Sequence, residues 1–250
     1  MARSFVIAWH FLTAVPFIRQ SKVPDRDEWA RSMAWFPIVG LVLGGILAGV
    51  AAALSHVFPR HVADALLVVL LVVLTRGLHQ DGLADTLDGW LGGGSPEQRL
   101  MIMRDSKIGA FGATGLILTL GLRYVGFSAL PDVARLSILI CLPAVGRWAM
   151  VVGAIHVPYA RAEGGLGQSF VQHLTGREVL MATLLLAAPL MFAVGPIRGM
   201  VLMVVAAVIA RTVVMVARRL CGGITGDMLG LINECAELGF VLPAPVGMRL

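Results

Sequence analysis

The sequence predicts an all-α, polytopic integral membrane protein: a helical bundle of six to seven transmembrane helices, read as a single catalytic domain over residues 1–250. Three observations predict it. Hydrophobic residues make up 58% of the 250 and charged residues only 14%, whereas a soluble domain carries roughly a quarter charged residues. Apolar runs long enough to cross a hydrocarbon core of about 30 Å recur along the chain. The runs are unbroken, and in lipid every backbone polar group has to be satisfied within its own element, so they read as helices. A membrane β-barrel would show alternating segments of about 10 residues instead.

The elements follow in order. Residues 1–20 form a short amphipathic or partly embedded helix; His10 and Pro16 interrupt its apolar part and no small-residue cleavage site follows, so it does not read as a signal peptide. A polar segment, 19–31, leads to span one at 35–57, where Gly40, Gly44 and Gly45 let a neighbouring helix approach closely. Span two starts near Val62 and passes directly into an acidic stretch, HQDGLADTLDG, at 79–89. A polar loop, 92–107, precedes span three at 108–130, and Pro131 with Asp132 turns the chain into span four at 133–155. A Gly-containing polar loop, 156–178, separates it from span five at 179–194. Gly195 and Pro196 then lead to span six at 200–217. The last helical pattern, 225–242, carries three acids and is either a seventh span or a membrane-edge helix.

The net charge of +5 and pI near 9.7 reflect the gathering of basic residues on cytoplasmic loops. No basic tract interleaved with aromatics is present, so nucleic acid is not an expected partner. Arg3, Arg19, Lys22, Arg26, Arg31, Arg99, Arg104, Lys107, Arg161, Arg177, Arg218 and Arg219 fall on one side of the predicted spans. Arg60, Arg135 and Arg198 fall on the other. This bias places the N-terminus and every motif-bearing loop in the cytoplasm, with the protein multi-pass in the cell membrane. Cys141, Cys221 and Cys235 are too widely spaced for a paired metal motif and read as small apolar helix residues.

Three patches carry chemistry. Asp81, Asp85 and Asp88 lie at offsets of four and seven, within an arc of about 60° on one helix face. Carboxylates so close at a membrane-embedded helix end call for a hard divalent cation with oxygen ligands. Gly82 and Gly89 leave room beside them for a phosphate or a partner helix, and His79 just ahead is a candidate substrate contact or a helix-end hydrogen bond. In the second patch, residues 104–112, Asp105 joins the metal set and Arg104 and Lys107 supply charge for phosphate oxygens. Ser106 with the Gly109 and Gly112 backbone forms an anion-binding helix start. The third, 221–237, holds Asp227, Glu234 and Glu237 on one side of a helix, to orient an attacking hydroxyl, hold a second metal or contact a polar substrate. Arg123, Arg147 and Arg211, within or near spans, are expected to pair with acids, face a cavity or snorkel. His156, Tyr159, Arg161 and Glu163 would form part of a substrate rim. Together these residues give a membrane metal-dependent phosphoryl transferase.

Six blocks in order, 11–17, 35–40, 77–89, 103–112, 160–164 and 222–230, resemble the cobalamin synthase family, the adenosylcobinamide-GDP ribazoletransferases. The resemblance implies joining of adenosylcobinamide-GDP to α-ribazole or its 5′-phosphate, with Mg²⁺ as cofactor and release of GMP. It implies Asp81, Asp85, Asp88 and Asp105 as Mg²⁺ ligands, Arg104 and Lys107 as phosphate contacts, and Asp227 or Glu234 as the residue that positions or deprotonates the ribose hydroxyl. Ser106, His79, Arg161 and Glu237 complete the substrate set. The lipid bilayer is a further partner; self-association and association with other corrinoid-pathway enzymes stay open. The sequence Asp85-Thr-Leu-Asp-Gly89 also resembles the start of the CDP-alcohol phosphotransferase motif, but the following Ala-Arg pair and the second aspartate pair are missing. An intramembrane prenyltransferase would show two similar Asp-rich clusters. An ion-binding transporter would show repeat halves and broken helices near the bilayer middle.

Overall fold

The computed structural model describes residues 2–17 and 23–244, so Arg19, Lys22 and the end of the expected N-terminal helix lie outside the described residues. Short helix α1 (Ala2–Leu12) precedes α2 (Arg26–Ser32), which starts on a capping box between Asp25 and Glu28. A short 3₁₀ turn, Met33–Trp35, joins α2 to α3 (Phe36–Leu54). Next come α4 (Arg60–Thr75), α5 (Leu78–Gly92) and α6 (Pro96–Ile102), the last opening on a capping box between Ser95 and Gln98. They are followed by α7 (Ala110–Ala129), α8 (Asp132–Ala154) and α9 (Leu166–Gln172). The chain continues with α10 (Gly176–Val194), α11 (Pro196–Cys221) and α12 (Gly226–Val241). Among the described residues the only strand-like feature is a single bridge between Tyr159 and Ile224.

Among the described residues five stretches are long and apolar enough to cross a membrane: Arg26–Leu54, α7, α8, α10 and α11. The α4–α5 pair makes a sixth if taken as one broken span. The expected smooth passage of span two into the acidic stretch is corrected here: α4 ends with Arg76 and Gly77 both left-handed (φ 55° and 66°), and α5 leaves at 88° to it. The physical reason is that two successive left-handed residues satisfy the last carbonyls of α4 and end its ladder, Gly77 donating to Val72 (2.9 Å). The seventh candidate, α12, has 16 residues, short for a span, and lies buried inside the bundle.

The core is built around α8, of which 78% of the most apolar stretch is buried, against 17% for the peripheral α10. Its closest neighbour is α3. A side chain at Gly40 would run into the Ala144 backbone, and one at Gly44 into the Ile140 carbonyl, so the two helices meet backbone to backbone through those glycines. Gly45, one position on, faces open space. At one end of the bundle Asp64, fully buried, accepts from Arg135 and from Ser128 Oγ (3.0 Å), while Arg60 reaches Asp132 and the Leu130 carbonyl. These bonds pin α4, α7 and α8 together and give Arg60 and Arg135 partners.

Gly44→Ala is therefore expected to lower stability by about 1–3 kcal/mol through overpacking. Gly45→Ala should be neutral or slightly stabilising, by up to about 1 kcal/mol. Thermal unfolding of both variants in detergent checks the pair; equal behaviour would contradict the α3–α8 contact.

Candidate active site

The break between α4 and α5 sets the site. Its open side is a cavity of about 770 Å³ walled by Asp81 and Asp85 from α5 and by Arg104, Asp105 and Ser106 from the loop before α7. A second cavity of about 210 Å³ shares Asp81 and Leu78 with the first and is lined further by His79, Tyr159, Arg161, Asp227, Phe11 and Phe170. Four acids (Asp81, Asp85, Asp105 and Asp227), three arginines (Arg76, Arg104 and Arg161) and three aromatic rings thus line a pair of cavities that share one aspartate.

Of the acidic triad, Asp81 is exposed and Asp85 half-buried, and both face the larger cavity. Asp88 is buried and serves a different group: its carboxylate accepts from the backbone N–H of Gly109 (2.7 Å) and Gly112 (2.8 Å) at the start of α7. Those amides have no partner within their own helix and lie at the positive end of its dipole. The anion-binding helix start read from Gly109 and Gly112 therefore exists, but the anion it holds is a carboxylate of this chain. A side chain at either glycine would collide with Asp88, which explains why both positions are Gly. Of the basic loop, Arg104 donates to Glu163 (2.7 Å), Asp105 accepts from the Lys107 backbone N–H (3.0 Å), and the exposed Lys107 lines neither cavity.

Asp227 reaches the site because α12 crosses α5 at backbone contact. A side chain at Gly82 would meet the Asp227 carbonyl at 2.6 Å, and one at Gly230 the His79 carbonyl at 3.1 Å. The room beside the acids is filled by partner groups: α12 at Gly82, and Arg99 and Met103 at Gly89. Arg161 is brought over by a loop that pairs with the approach to α12, through Ala160 N–H to Ile224 O (2.9 Å) and Ile224 N–H to Pro158 O (3.0 Å). It donates to Asp227 Oδ2 at 2.7 Å, and Thr225 Oγ1 donates to the same oxygen at 3.2 Å. Burial pushes the Asp227 carboxyl above its ordinary value, against the downward pull of Arg161 and Thr225. Burial likewise raises the Tyr159 phenol, and the Arg104 guanidinium holds Glu163 below its usual range.

Glu234 and Glu237 are placed elsewhere. Both are fully buried and line neither cavity. Arg123 donates to Glu234 (2.8 Å) and to Glu237 (2.7 Å), Arg147 pairs with Glu237, and Gln80 donates to Glu234 (3.0 Å). Asn233 donates to both glutamates, at 3.3 and 3.1 Å. Arg123 and Arg147 thus pair with acids, as intramembrane arginines should. The network ties α5, α7, α8 and α12 together, and Arg147 approaches His79 Nδ1 at 3.4 Å. The other ring nitrogen, Nε2, is buried without a hydrogen-bond partner.

Two site residues, Arg76 and Phe170, had no sequence signal, and Phe11 entered only as part of the block at 11–17. Arg76, exposed and left-handed at the break, lines the larger cavity beside Asp81 and Asp85. Phe11 and Phe170 pack at 4.6 Å between centroids and close the smaller cavity. A phenylalanine in an apolar chain looks like any core residue. Among the described residues no three His, Cys, Asp or Glu converge as a ready-made metal cage.

A family model described as CobS, cobalamin-5-phosphate synthase, matches residues 4–244. An adenosylcobinamide-GDP ribazoletransferase of Syntrophobacter fumaroxidans is 41% identical over 236 residues, 92% of this chain and 95% of its own length. One from Desulforamulus reducens is 38% identical over 252 residues, 100% of this chain and 99% of its own. One from Desulfitobacterium hafniense is 36% identical over 248 residues, covering 97% and 96%. No solved structure matches the chain significantly.

The buried network yields an expectation of its own. Removing one partner of a buried ion pair costs about 3–5 kcal/mol, because the other charge is left uncompensated. Arg123→Met should therefore lower stability by about that much, and adding Glu234→Met should recover part of the loss. A double-mutant cycle from thermal unfolding in detergent measures both; a single variant as stable as the parent would contradict the pairing.

Proposed function

The chain belongs to the cobalamin-5-phosphate synthase family and is an adenosylcobinamide-GDP ribazoletransferase, and from that premise we propose how its own residues carry the reaction. The observation that carries the reading is the pair of cavities meeting at Asp81. The larger, with its carboxylates and basic residues, takes the diphosphate of adenosylcobinamide-GDP. The smaller, with its aromatic walls, takes α-ribazole or its 5′-phosphate and directs the ribose hydroxyl toward Asp81. The described chain acts as one catalytic unit, since α1, α5, α9, α12 and the loops at 103–108 and 159–161 all contribute walls.

The fit to Mg²⁺ rests on the donor set. Mg²⁺ binds through one or two carboxylates together with substrate phosphates more often than in an all-protein cage. Asp81 and Asp85 on one wall, with Asp105 opposite, offer hard oxygen ligands of that kind. When bound there, Mg²⁺ would neutralise the diphosphate and the charge that develops on it. Asp88 contributes indirectly, by fixing the start of α7 and with it the loop that carries Asp105.

The reaction forms one phosphorus–oxygen bond and breaks another. The acceptor hydroxyl attacks the phosphorus retained on the corrinoid arm, the bridging oxygen leaves with GMP, and the hydroxyl proton passes to a base. Asp227 is that base: it lines the smaller cavity, and both of its side-chain hydrogen bonds fall on Oδ2, leaving Oδ1 for the proton. Arg161 holds the carboxylate in place. Arg104, Arg76 and Ser106 surround the phosphates in the larger cavity. Glu234 and Glu237 act through position, by holding α12 against α5. The basic residues of the motif-bearing loops support a cytoplasmic orientation of this face.

Protein in liposomes, supplied with Mg²⁺, adenosylcobinamide-GDP and α-ribazole, is expected to release GMP and form a cobamide in equal amounts, and to stop when Mg²⁺ is chelated. Asp85→Asn should lower turnover by about two orders of magnitude or more while the protein stays folded and inserted. Absence of product alongside turnover of a CDP-linked lipid would sink the assignment, and near-parental activity of Asp85→Asn would refute the metal role.

A further inference from the structure

Away from the catalytic cavities, α11 carries a two-part groove on its outward face. One part, about 260 Å³, is lined by Arg211, Arg218 and Arg219 with Val214 and Met215. The other, about 370 Å³, is almost wholly apolar and runs back along the helix past Val208 and Val204. The parts share Arg211 and Met215, so they form one continuous surface. Val204, Val208, Arg211, Met215, Arg218 and Arg219 follow one another at three- and four-residue spacing, except for the last adjacent pair, and so lie along one helix face.

The charge on this face is uncompensated. No carboxylate among the described residues forms a salt bridge with Arg211, Arg218 or Arg219, all of which are exposed. Arg211 stands nearly three turns inside the end of α11, where a guanidinium without a carboxylate partner is costly. It donates to the carbonyl of Ile155 (3.4 Å) at the C-terminal end of α8, which tethers it at the level where that helix ends. One bond leaves most of its five N–H donors unused. Three guanidinium groups therefore gather at the mouth of an apolar groove in a helix that crosses the membrane.

We propose that this groove is a binding site for an anionic phospholipid, with the phosphate held by Arg211, Arg218 and Arg219 and an acyl chain lying along Val208 and Val204. Charge complementarity selects the headgroup and the apolar half selects a lipid over a soluble anion. The site is separate from the substrate cavities: none of its lining residues walls either of them. It thus neither rests on nor alters the assignment of those cavities.

The test uses full-length protein stripped of lipid in neutral detergent. It is then offered phosphatidylglycerol, phosphatidylcholine or inorganic phosphate, with bound lipid read by native mass spectrometry and stability by thermal unfolding. Phosphatidylglycerol is expected to remain bound at about one per chain and raise the unfolding temperature, and the other two are not. Each Arg→Gln change should weaken its retention about fivefold, the worth of one basic residue at an anionic surface. GMP release in detergent should be unchanged. Val208→Trp, which fills the apolar half and keeps all the charges, should also weaken retention, which covers the case of a poorly folding arginine variant. Equal retention of the two lipids, a shift caused by phosphate alone, or undiminished selectivity in the Arg211→Gln, Arg218→Gln, Arg219→Gln triple variant would each overturn the proposal.

Discussion

The site depends on a buried salt-bridge network. Arg123 and Arg147 against Glu234 and Glu237 place two positive and two negative charges in the interior of a membrane protein, where each alone would be expensive. Their balance makes the arrangement tolerable, and its geometry makes it useful. The two glutamates come from α12, the arginines from α7 and α8, and Gln80 adds α5 to the set. Four helices are thereby held in one register, in an environment where apolar packing alone discriminates poorly between sliding positions, since lipid is as apolar as the helices.

With α12 fixed, the rest of the site follows from close approach and chain breaks. Gly82 and Gly230 let α12 lie against α5 with backbone contact, which carries Asp227 to the acidic helix. The left-handed pair Arg76 and Gly77 turns α5 away from α4 and opens the larger cavity beside it. Asp88 then anchors the start of α7, so the loop bearing Arg104, Asp105 and Ser106 faces Asp81 and Asp85. The aspartates of one helical face are thus divided between two tasks. Two meet the cavity, and the third builds the wall opposite them.

Much of the fold was legible because lipid imposes a simple rule: apolar length equals a span. The positions of α3, α7, α8, α10 and α11 agree with the expected runs to within a few residues, α11 being longer at both ends. The 88° turn was not legible, since an Arg-Gly pair after an apolar run is compatible with a continued or a broken path. The acids at 81, 85 and 88 were legible as a helical set; that Asp88 would be claimed by the Gly109 and Gly112 amides is a tertiary fact with no local signal. The spacing of Asp227, Glu234 and Glu237 gave their common side. It did not show that the last two would meet Arg123 and Arg147 in the core while the first remained at the cavity. Phe170 and Arg76 were invisible for opposite reasons, one being ordinary in an apolar chain and the other ordinary at a helix end.

The central claim is that donor and acceptor occupy separate cavities joined at Asp81. Steady-state kinetics in both substrates for Arg104→Ala and Arg161→Ala tests it most directly. Loss of a charged hydrogen bond should raise a Michaelis constant about tenfold or more. The account expects Arg104→Ala to raise that for adenosylcobinamide-GDP and leave that for α-ribazole near its parental value. Arg161→Ala, which removes part of the wall of the smaller cavity as well as the hold on Asp227, should lower turnover and raise only that for α-ribazole. Parallel increases in both constants in both variants would contradict it.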